Sequence, residues 1–215
     1  TYMYILLAAC LIGLTWAGGD HYNLGEALHS GKNIIMLIIV FIGLFFITLL
    51  VPDENYVKQH VAWTLFVICL GLMTYLTYKM NMATKTMRRV LISLFGIIAA
   101  MTLIAYTQPL GTFDSWKVPM LGALCVLILV EVGDMIFYEN RENFFNRWKM
   151  YGWVGIIIFS ILVIIGTQHL MKEGPIIVDK CKLREQIECV GYPNRSMILL
   201  LNFVNLFNNA SVTGW

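Results

Sequence analysis

The chain is 215 residues long, 59% hydrophobic and 13% charged, with a formal net charge of +2 and a mean hydropathy of +0.72. So few charges cannot coat a water-facing surface of this size, which excludes an ordinary soluble domain. The small positive excess, with no basic patch interleaved with aromatics, gives no basis for a nucleic-acid partner.

A hydrocarbon core about 30 Å thick, crossed at about 1.5 Å per residue, asks for roughly 17–25 apolar residues per helix. Seven runs meet or approach that length: 2–17, 34–51, 61–78, 90–106, 118–137, 151–170 and 196–212. They are continuous rather than alternating, which favours helices over a transmembrane barrel. The five prolines, Pro52, Pro109, Pro119, Pro175 and Pro193, are expected in loops or at run ends, where a missing N–H matters least. The expectation is therefore an all-α membrane protein, a single transmembrane helical domain over residues 1–215 with seven transmembrane helices.

Taken in chain order, the first four runs are almost purely apolar, with Cys10 and Cys69 read as packing residues. Lys79, Lys85, Arg88 and Arg89 crowd the connection between the third and fourth runs, and point that loop weakly toward the matrix or cytosol. The fifth run contains Cys125, also read as packing, and two acids, Glu131 and Asp134, one helical turn apart on one face. Intramembrane carboxylates commonly mark cation or proton sites. The other reading places both within two turns of the helix end, snorkelling to the interface or paired with Arg141.

The sixth run ends on Gly166-Thr167-Gln168-His169, and the polar connection from Met171 to Arg195 follows. Cys181 and Cys189 in that connection either close a disulfide in an oxidising space or remain free thiols. In the seventh run Asn202, Asn205 and Asn209 recur at helical spacing on one face. Lipid cannot satisfy amide side chains, so that face must meet other helices or, in the blander reading, lie in headgroup water. Six helices around a central C-terminal seventh accommodate the first case. Tyr78, Tyr106, Trp116, Trp148, Tyr151 and Trp153 fall near run ends and are expected in the interfacial belts. The four histidines have no metal-ligand spacing, and no nucleophile–base pair or phosphate loop occurs, so neither a catalytic residue nor a metal or other cofactor is expected.

Tyr151-Gly152-Trp153, Phe159-Ser160, Gly166-Thr167-Gln168, Tyr192-Pro193, Ser196-Met197 and Asn202…Asn205-Leu206-Phe207 occur in that order. In order and spacing this resembles the transmembrane Bax-inhibitor-motif family, whose members commonly read D-T-Q at the end of the sixth helix and S-(L/M)-x-x-(Y/L)-(L/M)-D-x-x-N-(L/I)-F in the seventh. Tyr151-Gly152, Ser196-Met197 and Gly133-Asp134-Met135-Ile136-Phe137 look most like its mitochondrial branch, that of the growth-hormone-inducible transmembrane protein. The resemblance implies six helices around a central seventh, with a buried aspartate pair that shares a proton and controls a calcium or proton leak. Here Gly166 and Asn202 stand at those two positions, a degenerate ion site with nothing to titrate.

Loss of the titrating pair on a retained pattern leads to the first functional expectation: a non-enzymatic structural or accessory subunit of a larger mitochondrial inner-membrane complex, with the lipid bilayer and other subunits as partners. An endoplasmic reticulum or Golgi membrane is the alternative location. The alternative function is a calcium or proton leak channel or antiporter using Glu131 and Asp134.

Overall fold

The structure is a computed structural model and describes residues 2–28, 31–52, 55–137, 141–183 and 192–213. Its helices are α1 (Tyr2–His21), the short α2 (Leu24–Leu28), α3 (Gly31–Leu50), α4 (Tyr56–Ala83), α5 (Met87–Thr107), α6 (Lys117–Phe137), α7 (Arg141–Leu183) and α8 (Tyr192–Thr213). The protein is an all-α membrane protein, and among the described residues five helices are long and apolar enough to cross a bilayer: α1, α3, α4, α5 and α7. At 22 residues α8 has the length, but Asn202, Asn205, Asn208 and Asn209 dilute its apolar character.

The chain divides into two compact units. The first comprises residues 1–83 and 175–200, the second 84–174 and 201–215. In the first unit α1 and α4 run parallel: Tyr4 hydroxyl bonds His60 Nε2 near the two helix starts, and Asp20 meets Tyr75, Tyr78 and Lys79 near the two ends. Close approach is possible because glycines sit under the larger partners. A Cβ on Gly19 would lie 2.6 Å from the Tyr75 ring, and one on Gly71 would lie 2.9 Å from Thr15 Cβ. Trp16 uses the resulting gap to donate its indole N–H to Gly71 O at 3.1 Å and to Thr74 Oγ1 at 3.2 Å. On its other side α4 meets α3, where Phe41 stacks on the fully buried Phe66 at 5.2 Å. The remaining face of α3, with Ile35, Met36, Ile39 and Ile42, is exposed, as a lipid-facing helix requires. Trp63 Nε1 donates to Ser196 Oγ at 3.2 Å and joins the start of α8 to this unit.

The second unit holds α5, α6, α7 as far as Gly174, and α8 from Leu201. Where α5 ends its last carbonyls have no helical partner. Gln168 of α7, only 2% exposed, supplies one: its Nε2 donates to Ala105 O, Gln108 O and Pro109 O at 3.3, 3.4 and 3.2 Å. The chain then turns through Gly111 at φ 90, a conformation suited to glycine, into a 3-10 turn at Asp114–Trp116. Lys172 Nζ reaches Asp114 Oδ2 at 2.8 Å and ties this loop to α7. That ammonium holds the Asp114 carboxyl below the usual carboxylate range, against a smaller opposing effect of desolvation.

Several sequence expectations need correction. Pro175 lies inside α7 rather than in a loop. The helix continues through Gly174-Pro175 despite a cost of about 3 kcal/mol for the lost N–H and the ring clash. The part of the Met171–Arg195 connection up to Leu183 is thus helical, and residues 184–191 lie outside the described ones. Of the cysteines assigned to packing, only Cys69 is buried; Cys10 and Cys125 are exposed on apolar helices, where a thiol is apolar enough to face lipid. Tyr151, expected in an interfacial belt, is buried within the fold.

Candidate functional site

A cavity of about 280 Å³ opens within the second unit, lined by one stripe from each of three helices. From α6 come Leu124, Leu127, Ile128 and Glu131, at the spacing of a single helical face. From α7 come Trp148, Gly152 and Phe159, and from α8 Asn205, Asn208, Asn209 and Val212.

The backbone of α7 makes room for the amides. A Cβ added to Gly155 would sit 2.6 Å from Asn209 Cγ, and one on Gly152 would sit 2.9 Å from Thr213 Cγ2 and 3.2 Å from Asn209 O. Two glycines one turn apart therefore let α8 lie against α7 closely enough for Asn209 to rest on the backbone. Asn209 Nδ2 donates to Asn205 O at 2.8 Å, which fixes the amide. Asn208 Oδ1 is different. It is shielded from solvent and accepts no hydrogen bond, an arrangement that costs about 1–3 kcal/mol.

Glu131 is half-buried at the same cavity. Among the described lining residues none is Lys, Arg or His. A carboxylate half withdrawn from water beside an apolar wall is a place where a proton or a cation can bind.

Asp20 shows the contrasting case. Its Oδ1 accepts from Tyr75 at 3.0 Å and pairs with Lys79 Nζ at 2.6 Å, while its Oδ2 accepts from Tyr78 at 3.0 Å. Trp16 stacks on Tyr78 at 4.7 Å and closes the group. Each carboxylate oxygen has a donor on α4, so this cluster fastens α1 to α4.

Of the residues singled out from sequence, Glu131, Asn205 and Asn209 come together at the cavity. Asn202 is buried on α8 and Gly166 is half-buried on α7, and neither lines it. Asp134 lies on α6, and its side chain is outside the described residues, as are the Cys181 side chain and all of Cys189 on which the disulfide depends. Asn208, Trp148 and the glycine at 155 were not foreseen as parts of a site. Asn208 stands off the 202–205–209 stripe, although it is one turn from Asn205 and could have been found by extending the polar face by one residue. Asp20 lies three residues beyond the first apolar run, 2–17, and was not singled out.

Fold and cavity together define a polytopic α-helical membrane protein with a partly polar cavity between α6, α7 and α8 of the second unit. The family model described as Inhibitor of apoptosis-promoting Bax1 matches residues 1–210, and the chain belongs to that family. No curated protein and no solved structure matches it.

Proposed function

We propose that the protein is a non-catalytic membrane protein that takes up a cation or proton within the bilayer at Glu131 and acts as a leak channel or antiporter. One observation carries this reading: a carboxylate shares a cavity with three asparagines, and among the described lining residues there is no Lys, Arg or His. Amide and carboxylate oxygens are the groups that replace a hydration shell. The site is not the family's aspartate pair, since Gly166 and Asn202 occupy those positions. Transport through Glu131 would follow the titration of one carboxyl group rather than of a coupled pair. The test is flux from reconstituted proteoliposomes, read with pH-sensitive and calcium-sensitive dyes. Wild-type protein should give flux that Glu131→Gln lowers at least tenfold, and absence of wild-type flux across a range of pH and calcium rejects the reading.

A second reading is favoured by the degenerate positions themselves. A retained Bax-inhibitor pattern without its titrating pair suits an accessory subunit of a larger membrane complex. Resemblance of Tyr151-Gly152, Ser196-Met197 and Gly133-Asp134-Met135-Ile136-Phe137 to the mitochondrial branch supports the inner membrane as its compartment. Stoichiometric co-migration with another inner-membrane assembly in mild detergent is its expected outcome, and a free monomer would count against it.

A further inference from the structure

We infer that the α6–α7–α8 cavity is built for a small organic ammonium ion, a primary amine carried on an apolar body, rather than for a bare metal ion. The inference rests on the reading of Glu131 as a cation site and names the class of cation.

Three features of the lining lead there. The first is size. About 280 Å³ is far more than one dehydrated metal ion fills and stands at the small end of sites for organic ligands. The second is composition. Among the described lining residues the carboxylate and amide side-chain oxygens are those of Glu131, Asn205, Asn208 and Asn209, while much of the remaining wall is hydrocarbon and aromatic, from Leu124 to Val212. A calcium ion seeks six to eight oxygens and gains nothing from leucine or phenylalanine. An alkylammonium puts its charged end on the carboxylate and its carbon chain on the apolar wall. Trp148 and Phe159 add ring faces or edges to that wall, and aromatic rings attract ammonium groups.

The third feature separates primary amines from quaternary ones. Asn208 stands on the cavity wall, and its Oδ1, closed off from water-sized space in this conformation, has no donor. A primary ammonium carries three N–H donors, enough for the Glu131 carboxylate and for an Asn208 amide that turns toward the cavity on binding. A quaternary ammonium carries none and offers that amide nothing.

The experiment is equilibrium binding, by calorimetry, of n-butylammonium, tetramethylammonium and n-butanol to the full chain in lipid nanodiscs. Butylammonium should bind at least tenfold more tightly than either of the others. Glu131→Gln, nearly the same shape, should weaken it at least tenfold; Asn208→Leu should do the same, and Asn208→Asp, which keeps an acceptor, should not. Equal binding of all three probes, no binding of butylammonium, or binding indifferent to Glu131→Gln would overturn the inference. Butylammonium binding without proton or calcium flux would retire the leak and keep the amine site, whereas flux without butylammonium binding would do the reverse.

Discussion

Replacing Gly155 by alanine tests the close packing that brings the amides of α8 to the cavity. The added methyl would lie 2.6 Å from Asn209 Cγ and 2.9 Å from its Nδ2. Ordinary contact is about 3.5–4.0 Å, so Asn209 or the whole of α8 must give way by about 1 Å. Asn209 is held by its 2.8 Å bond to Asn205 O, and losing that bond costs about 0.5–1.5 kcal/mol. Forcing the methyl into packed surroundings adds about 1–3 kcal/mol. Alanine's better helix propensity returns about 1 kcal/mol. The net is a destabilisation of about 1–3 kcal/mol. Thermal unfolding of the detergent-solubilised chain measures it, with Gly96→Ala as control because a Cβ there meets nothing within 4 Å. Gly155→Ala should melt several degrees below wild type and Gly96→Ala at or slightly above it. A Gly155→Ala protein as stable as the control would refute the claim that α8 rests on the α7 backbone at this point.

Gln168→Leu removes the donor shared by the three carbonyls that end α5, and should cost about 1–3 kcal/mol in the same melt while speeding hydrogen exchange across residues 105–112. Asp20→Ala, at a carboxylate 38% exposed, should cost no more than about 1 kcal/mol, because solvent screens much of the Lys79 attraction; a loss of several kcal/mol would show the cluster to be far drier than its exposure indicates. Asp114 is held below its ordinary range by Lys172, so its ion pair contributes fully above the unfolded-state value and fades as pH falls through the lowered one. The difference in melting temperature between wild type and Asp114→Asn should accordingly be flat at neutral pH and shrink below about pH 4.

The spans were legible because hydrocarbon allows so few solutions: an uninterrupted apolar run of sufficient length is already a helix, and the described boundaries differ from the runs mainly by polar end turns. The extensions were less legible. Residues 141–150 of α7 are rich in charge and aromatics and look like a loop in composition, yet they continue a helix whose hydrophobic segment begins at Tyr151. Pro175 misled as well: it lies inside α7, where composition alone places a loop. Within the site, periodicity found Asn205 and Asn209 and the chemistry of a buried acid found Glu131. What periodicity could not supply was register between helices. That Gly155 faces Asn209, and that Asn208 shares a space with a glutamate more than seventy residues earlier in the chain, follows only from how α6, α7 and α8 are packed.

The fastening of α1 to α4 bears on how the protein is made. Asp20 reaches the bilayer with α1, but its partners Tyr75, Tyr78 and Lys79 belong to a helix synthesised two long segments later. Until α4 emerges, the carboxylate must stay at the headgroup layer or wait beside the insertion machinery. The parallel pair can close only after α3 has crossed in the opposite sense. Closure of this contact therefore waits for the third long helix, and a ribosome stalled before residue 75 would leave Asp20 without its α4 partners.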